Sequence, residues 1–220
     1  MVAAAPSWCN STLILAGANG YTGGTLISGG TVQVTNANSL GDSSSIVTLN
    51  GGTLQMQSPT VVSVNFSNNF AVNAQGGTVD VNGGQVTLSG VIADGTGASV
   101  LNVIDSTGGG NLELSGLNTY SGGTLVSGAT LIVTNNSSVG TGTVALDNNG
   151  LFQADGFSSL TFANNFRINS GGGRIGSNGT ALTIAGSISG PGQLSIFDSS
   201  FGSGVVALTG ASNYTGGTFI

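Results

Sequence analysis

The chain has 220 residues, a net charge of −6 and only 5% charged residues, against about 25% in ordinary globular proteins. Its only cations are Arg167 and Arg174, with no Lys or His, so it cannot neutralise a phosphate backbone or an anionic bilayer surface, and nucleic acid is not an expected partner. A mean hydropathy of +0.32 with 39% apolar residues separates it from hydrophilic disorder and provides for a real core.

Residues 1–12 read as an N-terminal extension or a fragment boundary. "MVAAAPSWC" lacks the basic start and long apolar run of a complete signal peptide. Cys9, the single cysteine, can form no internal disulfide and no zinc or iron–sulfur site. The longest apolar stretch, "LILAGA" from Leu13 to Ala18, falls far short of the roughly 20 residues of a spanning helix, so no membrane insertion of this segment is expected.

From Thr31 onward, short runs alternate apolar and polar residues. They are "TVQV" (Thr31–Val34), "IVTL" (Ile46–Leu49), "TVDV" (Thr78–Val81), "QVTL" (Gln85–Leu88), "LEL" (Leu112–Leu114), "TLIV" (Thr130–Val133), "TVAL" (Thr143–Leu146) and "LSIF" (Leu194–Phe197). Period two marks half-buried strands, and the Gly, Asn, Ser and Asp between them mark turns. No window carries a sustained helical period, so nearly no helix is expected.

A longer period lies over these strands. "NGYTGGTLI" (Asn19–Ile27) returns as "NTYSGGTLV" (Asn118–Val126) and "NYTGGTFI" (Asn213–Ile220), with Tyr21, Tyr120 and Tyr214 spaced 99 and 94 residues apart. "NNF" at Asn68–Phe70 returns at Asn164–Phe166. The chain divides into a first unit at about 13–111, a second at about 112–205 and the start of a third at 206–220. Internal repetition, scarce charge and glycine-pair corners favour a β-solenoid over a sandwich or barrel. Like charges stacked at the interstrand spacing would repel, whereas uncharged Asn, Ser and Thr can form ladders. A coil of about 20–25 residues gives a rod on the order of 50 Å long. In the phrase, Gly122 and Gly123 form a corner that feeds Thr124 into the next strand, and Tyr120 packs on it. The motif positions are Asn19, Tyr21, Gly23, Gly24 and Thr25; Asn118, Tyr120, Gly122, Gly123 and Thr124; and Asn213, Tyr214, Gly216, Gly217 and Thr218. Phe66, Phe70, Phe162 and Phe166 occupy matching places and are expected as stacked core aromatics.

"LELSGLNTYSGGTLVSGATLIVTNNSSVGTGTVAL" (Leu112–Leu146), with its copy at Leu13–Leu49 and its beginning at Val206–Ile220, resembles the passenger-associated transport repeat, also called the autotransporter-associated β-strand repeat. The resemblance implies an all-β, right-handed parallel β-helix: a segment of a type V secretion passenger, exported across a Gram-negative outer membrane and placed outside the cell or on its surface. It implies as partners the neighbouring solenoid coils, a C-terminal translocator barrel not present in this chain, and host or surface glycans or proteins. The corresponding function is a structural passenger segment that aids export and forms a rigid stalk or adhesin rod. The alternative is a carbohydrate-binding or polysaccharide-cleaving β-helix.

Enzymatic chemistry has little to build on, and neither catalytic residues, a cofactor nor a metal is expected. Without His there is no Ser–His–Asp or Cys–His pair, and without Lys no P-loop lysine or Schiff base. "GGGRIG" (Gly171–Gly176) fits G-x-G-x-x-G, but no helix pattern follows it. Asp80, Asp94 and Asp105 are the closest carboxylates in sequence for a glycosidase pair, and solvated turn or strand aspartates are the reading taken. "GGTVDVNGG" (Gly76–Gly84) is a single echo of the calcium β-roll nonapeptide and not a series. The chain ends inside the third phrase, where "GGTFI" has no charge or proline to protect an edge. It is expected to be a slice of a longer solenoid, prone to end-to-end association in isolation.

Overall fold

The computed structural model describes residues 2–3, 11–57, 63–156, 159–200 and 204–220; Cys9 lies outside them. Among the described residues there is no helix, and every strand pairing is parallel. Thr12 stands beside Thr31 and Gln85 beside Asn111, so one turn of the chain takes between 19 and 26 residues. The strands stack into a β-solenoid of about nine turns.

Three faces run along the rod. The first is a nine-stranded sheet from Thr12–Leu15 to Ile188–Ser189. Its eight steps of about 4.8 Å make it about 38 Å long. The second is an eight-stranded sheet from Ser63–Phe66 to Thr218–Phe219. The third face is interrupted. A five-stranded sheet covers it as far as Ile92–Asp94, and a three-stranded sheet resumes at Leu160–Phe162. Irregular backbone bridges the gap and keeps the stacking bonds, with Thr119 N–H donating to Ile92 O and Thr141 N–H to Tyr120 O.

Alternation decides what each strand buries. In Thr31–Val34, Thr53–Met56, Gln85–Leu88 and Thr130–Val133 every second residue points inward. The inward Val, Leu, Ile and Phe form one continuous core. The four phenylalanines expected inside are buried. The ring contacts, however, run through Phe152, which meets Phe162 and Phe166 edge to face with centroids 5.1 Å apart in both pairs. An edge presented to a ring face satisfies the quadrupoles better than a flat stack. The place of Phe152 in the first unit is taken by Leu54, because Thr53–Met56 and residues 151–154 are corresponding strands. No buried side-chain nitrogen or oxygen among the described residues lacks a hydrogen-bond partner, so this core excludes water without orphaning polar groups.

Candidate functional site

The repeated phrase builds a corner. In the second copy, the Asn118 side chain is nine-tenths buried and bridges three coils. Its Oδ1 accepts the Ile92 N–H at 2.7 Å, and its Nδ2 donates to Ser138 O at 2.6 Å. Asn19 makes the same forward bond, from Nδ2 to Ser39 O at 2.8 Å. The tyrosine two residues on turns inward, and its hydroxyl pairs with the threonine four residues later. Tyr21 meets Thr25 at 2.8 Å, Tyr120 meets Thr124 at 2.6 Å and Tyr214 meets Thr218 at 2.5 Å. The Tyr120 ring is fully buried, and burial pushes its phenol well above the usual range.

Glycine is required at both corner positions for different reasons. Gly24, Gly123 and Gly217 have φ of 79°, 91° and 78°, where a side chain is strained. A Cβ on Gly122 would lie 2.1 Å from Ser99 O, and one on Gly216 would lie 2.1 Å from the Gly192 carbonyl carbon. The coils approach too closely there for any side chain.

The third copy has the same length, but its asparagine stands one position later, next to the tyrosine. Asn213 N–H donates to Ile188 O as Thr119 N–H donates to Ile92 O. Ser212 therefore stands where Asn118 stands, and its Oγ accepts the Ile188 N–H at 3.2 Å.

Three further pairs belong to the corner and were not among the motif positions. Asn36 and Asn135 reach back one coil to Ala16 O and Ser115 O, and their Oδ1 atoms accept from the second residue on. Ser39 and Ser138 are fully buried and accept the Asn36 and Asn135 N–H groups. Asn68 clamps the carbonyls of Asp42 and Ser45, as Asn164 clamps those of Gly140 and Gly142. Their signal in the sequence was the "VTN" ending and the recurring "NNF", both visible as landmarks but silent about bonding.

The three phrases lie on three different faces. Thr25–Ile27 belongs to the five-stranded sheet, Thr124–Ser127 to the nine-stranded sheet and Thr218–Phe219 to the eight-stranded sheet. A unit of 94–99 residues is about four and a third turns, so each copy advances one face around the rod.

The three carboxylates do not share one face. Asp80 and Asp105 occupy adjacent coils of the nine-stranded sheet, while Asp94 lies on the five-stranded sheet. Asp80 is buried and accepts Gln55 Nε2 at 2.7 Å and the N–H groups of Asn82 and Ser106. Asp94 accepts the Ser121 N–H and hydroxyl. Asp105 accepts three glycine N–H groups. "GGGRIG" contributes the Gly173–Gly176 strand and no helix N-terminus. Surface hollows of about 440 and 310 Å³ flank the first two phrases at corresponding places. The first has Leu26, Thr48 and Ala71 along its floor, the second Leu125, Ala145 and Arg167. No group of three or more His, Cys, Asp or Glu able to hold a metal ion occurs among the described residues. Among the described residues no helix is long and apolar enough to cross a membrane.

What these parts make is a parallel β-solenoid stapled at recurring corners. The family model described as passenger-associated-transport-repeat matches residues 10–34, 107–133 and 201–220. The chain is also 36% identical over 171 residues to the adhesin BmaC autotransporter of Brucella suis biovar 1 (strain 1330), an alignment covering 70% of this chain and 5% of that protein. No solved structure matches. These matches support a passenger segment of an autotransporter that carries these repeats, with display at a Gram-negative cell surface implied by that relationship.

Proposed function

We propose that the chain is a non-enzymatic length of passenger rod, which aids export through the outer membrane and then serves as a stiff stalk or adhesin shaft. The placement of the corner phrase carries this reading. Each copy directs a polar side chain at a neighbouring coil, through Asn19, Asn118 or Ser212, and each faces a different flank. A patch made for one partner would recur on one flank, whereas a phrase that closes corners can fall on any. The fifteen motif residues are, on this reading, structural. The unit division at 13–111, 112–205 and 206–220 follows from where the corner restarts. The reading implies a translocator barrel in the full-length protein, and glycans or proteins on host or neighbouring cells as what the displayed shaft meets. The hydrogen bonds that Asp80, Asp94 and Asp105 accept from backbone and side-chain donors of the stack support a structural role for them rather than acid–base catalysis.

The test places this chain between a secretion signal and a translocator barrel and measures display of a protease-resistant passenger, together with turnover of a polysaccharide panel. The expected result is resistant display without turnover, lost when Gly24 and Gly123 are both replaced by Val. Efficient resistant display from that double variant would overturn the role of the corner. Turnover abolished by D80N, D94N or D105N would overturn the non-enzymatic reading.

A further inference from the structure

The chain contains five Asn–Gly pairs, at Asn19, Asn50, Asn82, Asn149 and Asn178. This dipeptide is the one most prone to lose its side-chain amide, because glycine offers no side chain to hinder the reaction. The glycine nitrogen attacks the asparagine Cγ and a new N–Cγ bond forms. The bond from Cγ to the amide nitrogen breaks, and ammonia leaves with the proton given up by the glycine nitrogen. Water then opens the succinimide at either carbonyl, leaving aspartate or isoaspartate.

Two of the pairs are held in the same unusual way. Asn82 and Asn178 both have left-handed backbones, with φ of 46° and 45°. One coil further along, Asp105 follows the Leu101–Ile104 strand and Asp198 follows the Leu194–Phe197 strand. Asp105 Oδ1 accepts the Gly83 N–H at 2.8 Å, and Asp198 Oδ1 accepts the Gly179 N–H at 2.8 Å. The next residue in each case, Ser106 or Ser199, donates its hydroxyl to the asparagine Oδ1 at 2.9 Å. The four-residue arrangement is thus built twice, on corresponding coils of the two units.

We propose that Asn82–Gly83 and Asn178–Gly179 are latent succinimide sites, each kept closed by the carboxylate of the aspartate one coil away. The carboxylate opposes cyclisation in two ways. It fixes the glycine N–H toward itself and away from Cγ. Its negative charge also raises the cost of the amide anion that must form before attack. The hydrogen bond from Gly179, with those from the Ser200 and Gly204 N–H groups, holds the Asp198 carboxyl down to about 2. The Asp198 lock is therefore charged throughout the neutral and alkaline range in which cyclisation runs. For a passenger outside the cell, where a damaged coil cannot be resynthesised in place, this protects two turns on which the stacking depends.

The test is peptide mapping by mass spectrometry after long incubation of the full chain at mildly alkaline pH, scoring deamidation at each asparagine. In the unaltered chain, Asn82 and Asn178 should stay intact under native conditions and deamidate readily in denaturant. Asp105→Ala should speed loss at Asn82 by about tenfold or more, the scale of one charge-assisted hydrogen bond, without changing Asn178. Asp198→Ala should do the reverse. Ser106→Ala, which leaves the Gly83 N–H held, should stay near the original rate. An unchanged rate at Asn82 in Asp105→Ala would overturn the proposal, and a slower one would show the carboxylate acting as a base instead. Equal acceleration by Ser106→Ala would overturn it too, by showing that loosening of the turn is sufficient.

Discussion

Replacing Gly123 by Ala adds one methyl group at the tightest point of the second corner. Two costs follow from the geometry. At φ of 91° an L-residue is strained by about 1–2 kcal/mol. The new Cβ would lie 2.5 Å from Thr143 O, a backbone atom that also accepts the Thr124 N–H at 2.9 Å. That carbonyl cannot move aside without weakening the ladder bond, which adds about 1–3 kcal/mol. The sum is about 2–5 kcal/mol. Gly217 separates the two costs within the same chain: its φ is 78°, but nothing lies within 4 Å of its Cβ position. Gly217→Ala should therefore cost only the strain, about 1–2 kcal/mol. Gly24→Ala, with Ile46 O at 2.7 Å, should resemble Gly123→Ala. Urea unfolding of the three variants at constant m-value measures these differences. If Gly123→Ala were no more destabilising than Gly217→Ala, close approach of the coils would not be what demands glycine.

Asn118→Ala leaves the Ile92 N–H and Ser138 O without their partner inside the rod and should cost about 2–4 kcal/mol in the same assay. Phe152→Ala removes the hub of both ring contacts and should cost about 3–5 kcal/mol. The Asp198 carboxyl is lowered from 3.8 to about 2 by folding, so its stabilisation is present above pH 4 and is lost as pH falls toward 2. The melting temperature should fall across that window, and Asp198→Asn should make the fall shallower. Tyr120 has the opposite sign: its pKa is raised by burial, so stability is intact below about pH 10 and falls above it. Tyr120→Phe should remove that alkaline limb.

The fold was legible where inward and outward residues alternate strictly. "TVQV", "IVTL", "QVTL", "TLIV" and "LSIF" are strands at the stated positions. "TVDV" and "TVAL" are displaced by one residue, beginning at Gly77 and Val144. Ser63–Phe66 and Asn69–Val72 alternate just as strictly, with Asn65 and Asn69 outward, but only Ser67 and Asn68 part them, so no glycine-marked turn separates the two runs in the sequence. The phrase was legible as a repeat, but its threefold progression was not. That depends on how many residues each turn consumes, and the turns vary from 19 to 26 residues. The offset of Asn213 from the Asn118 position was legible in the letters, because setting Tyr214 against Tyr120 already places Ser212 opposite Asn118, and the bond from the Ile188 N–H to Ser212 follows that alignment.

The stacked corners and the shared core require one continuous parallel rod with Thr31, Thr53, Thr78, Asn102, Leu125, Ala145, Arg167 and Ser189 in a single file. The direct measurement is the distance between spin labels at Thr31→Cys and Ser189→Cys, in a chain where Cys9→Ser removes the native thiol. Seven steps of the ladder predict a separation of about 34 Å, with a label moved from Ser189 to Ala145 giving about 24 Å. A distance that fails to shorten by two ladder steps on that move, or a separation that places the two ends of the file side by side, would contradict the rod.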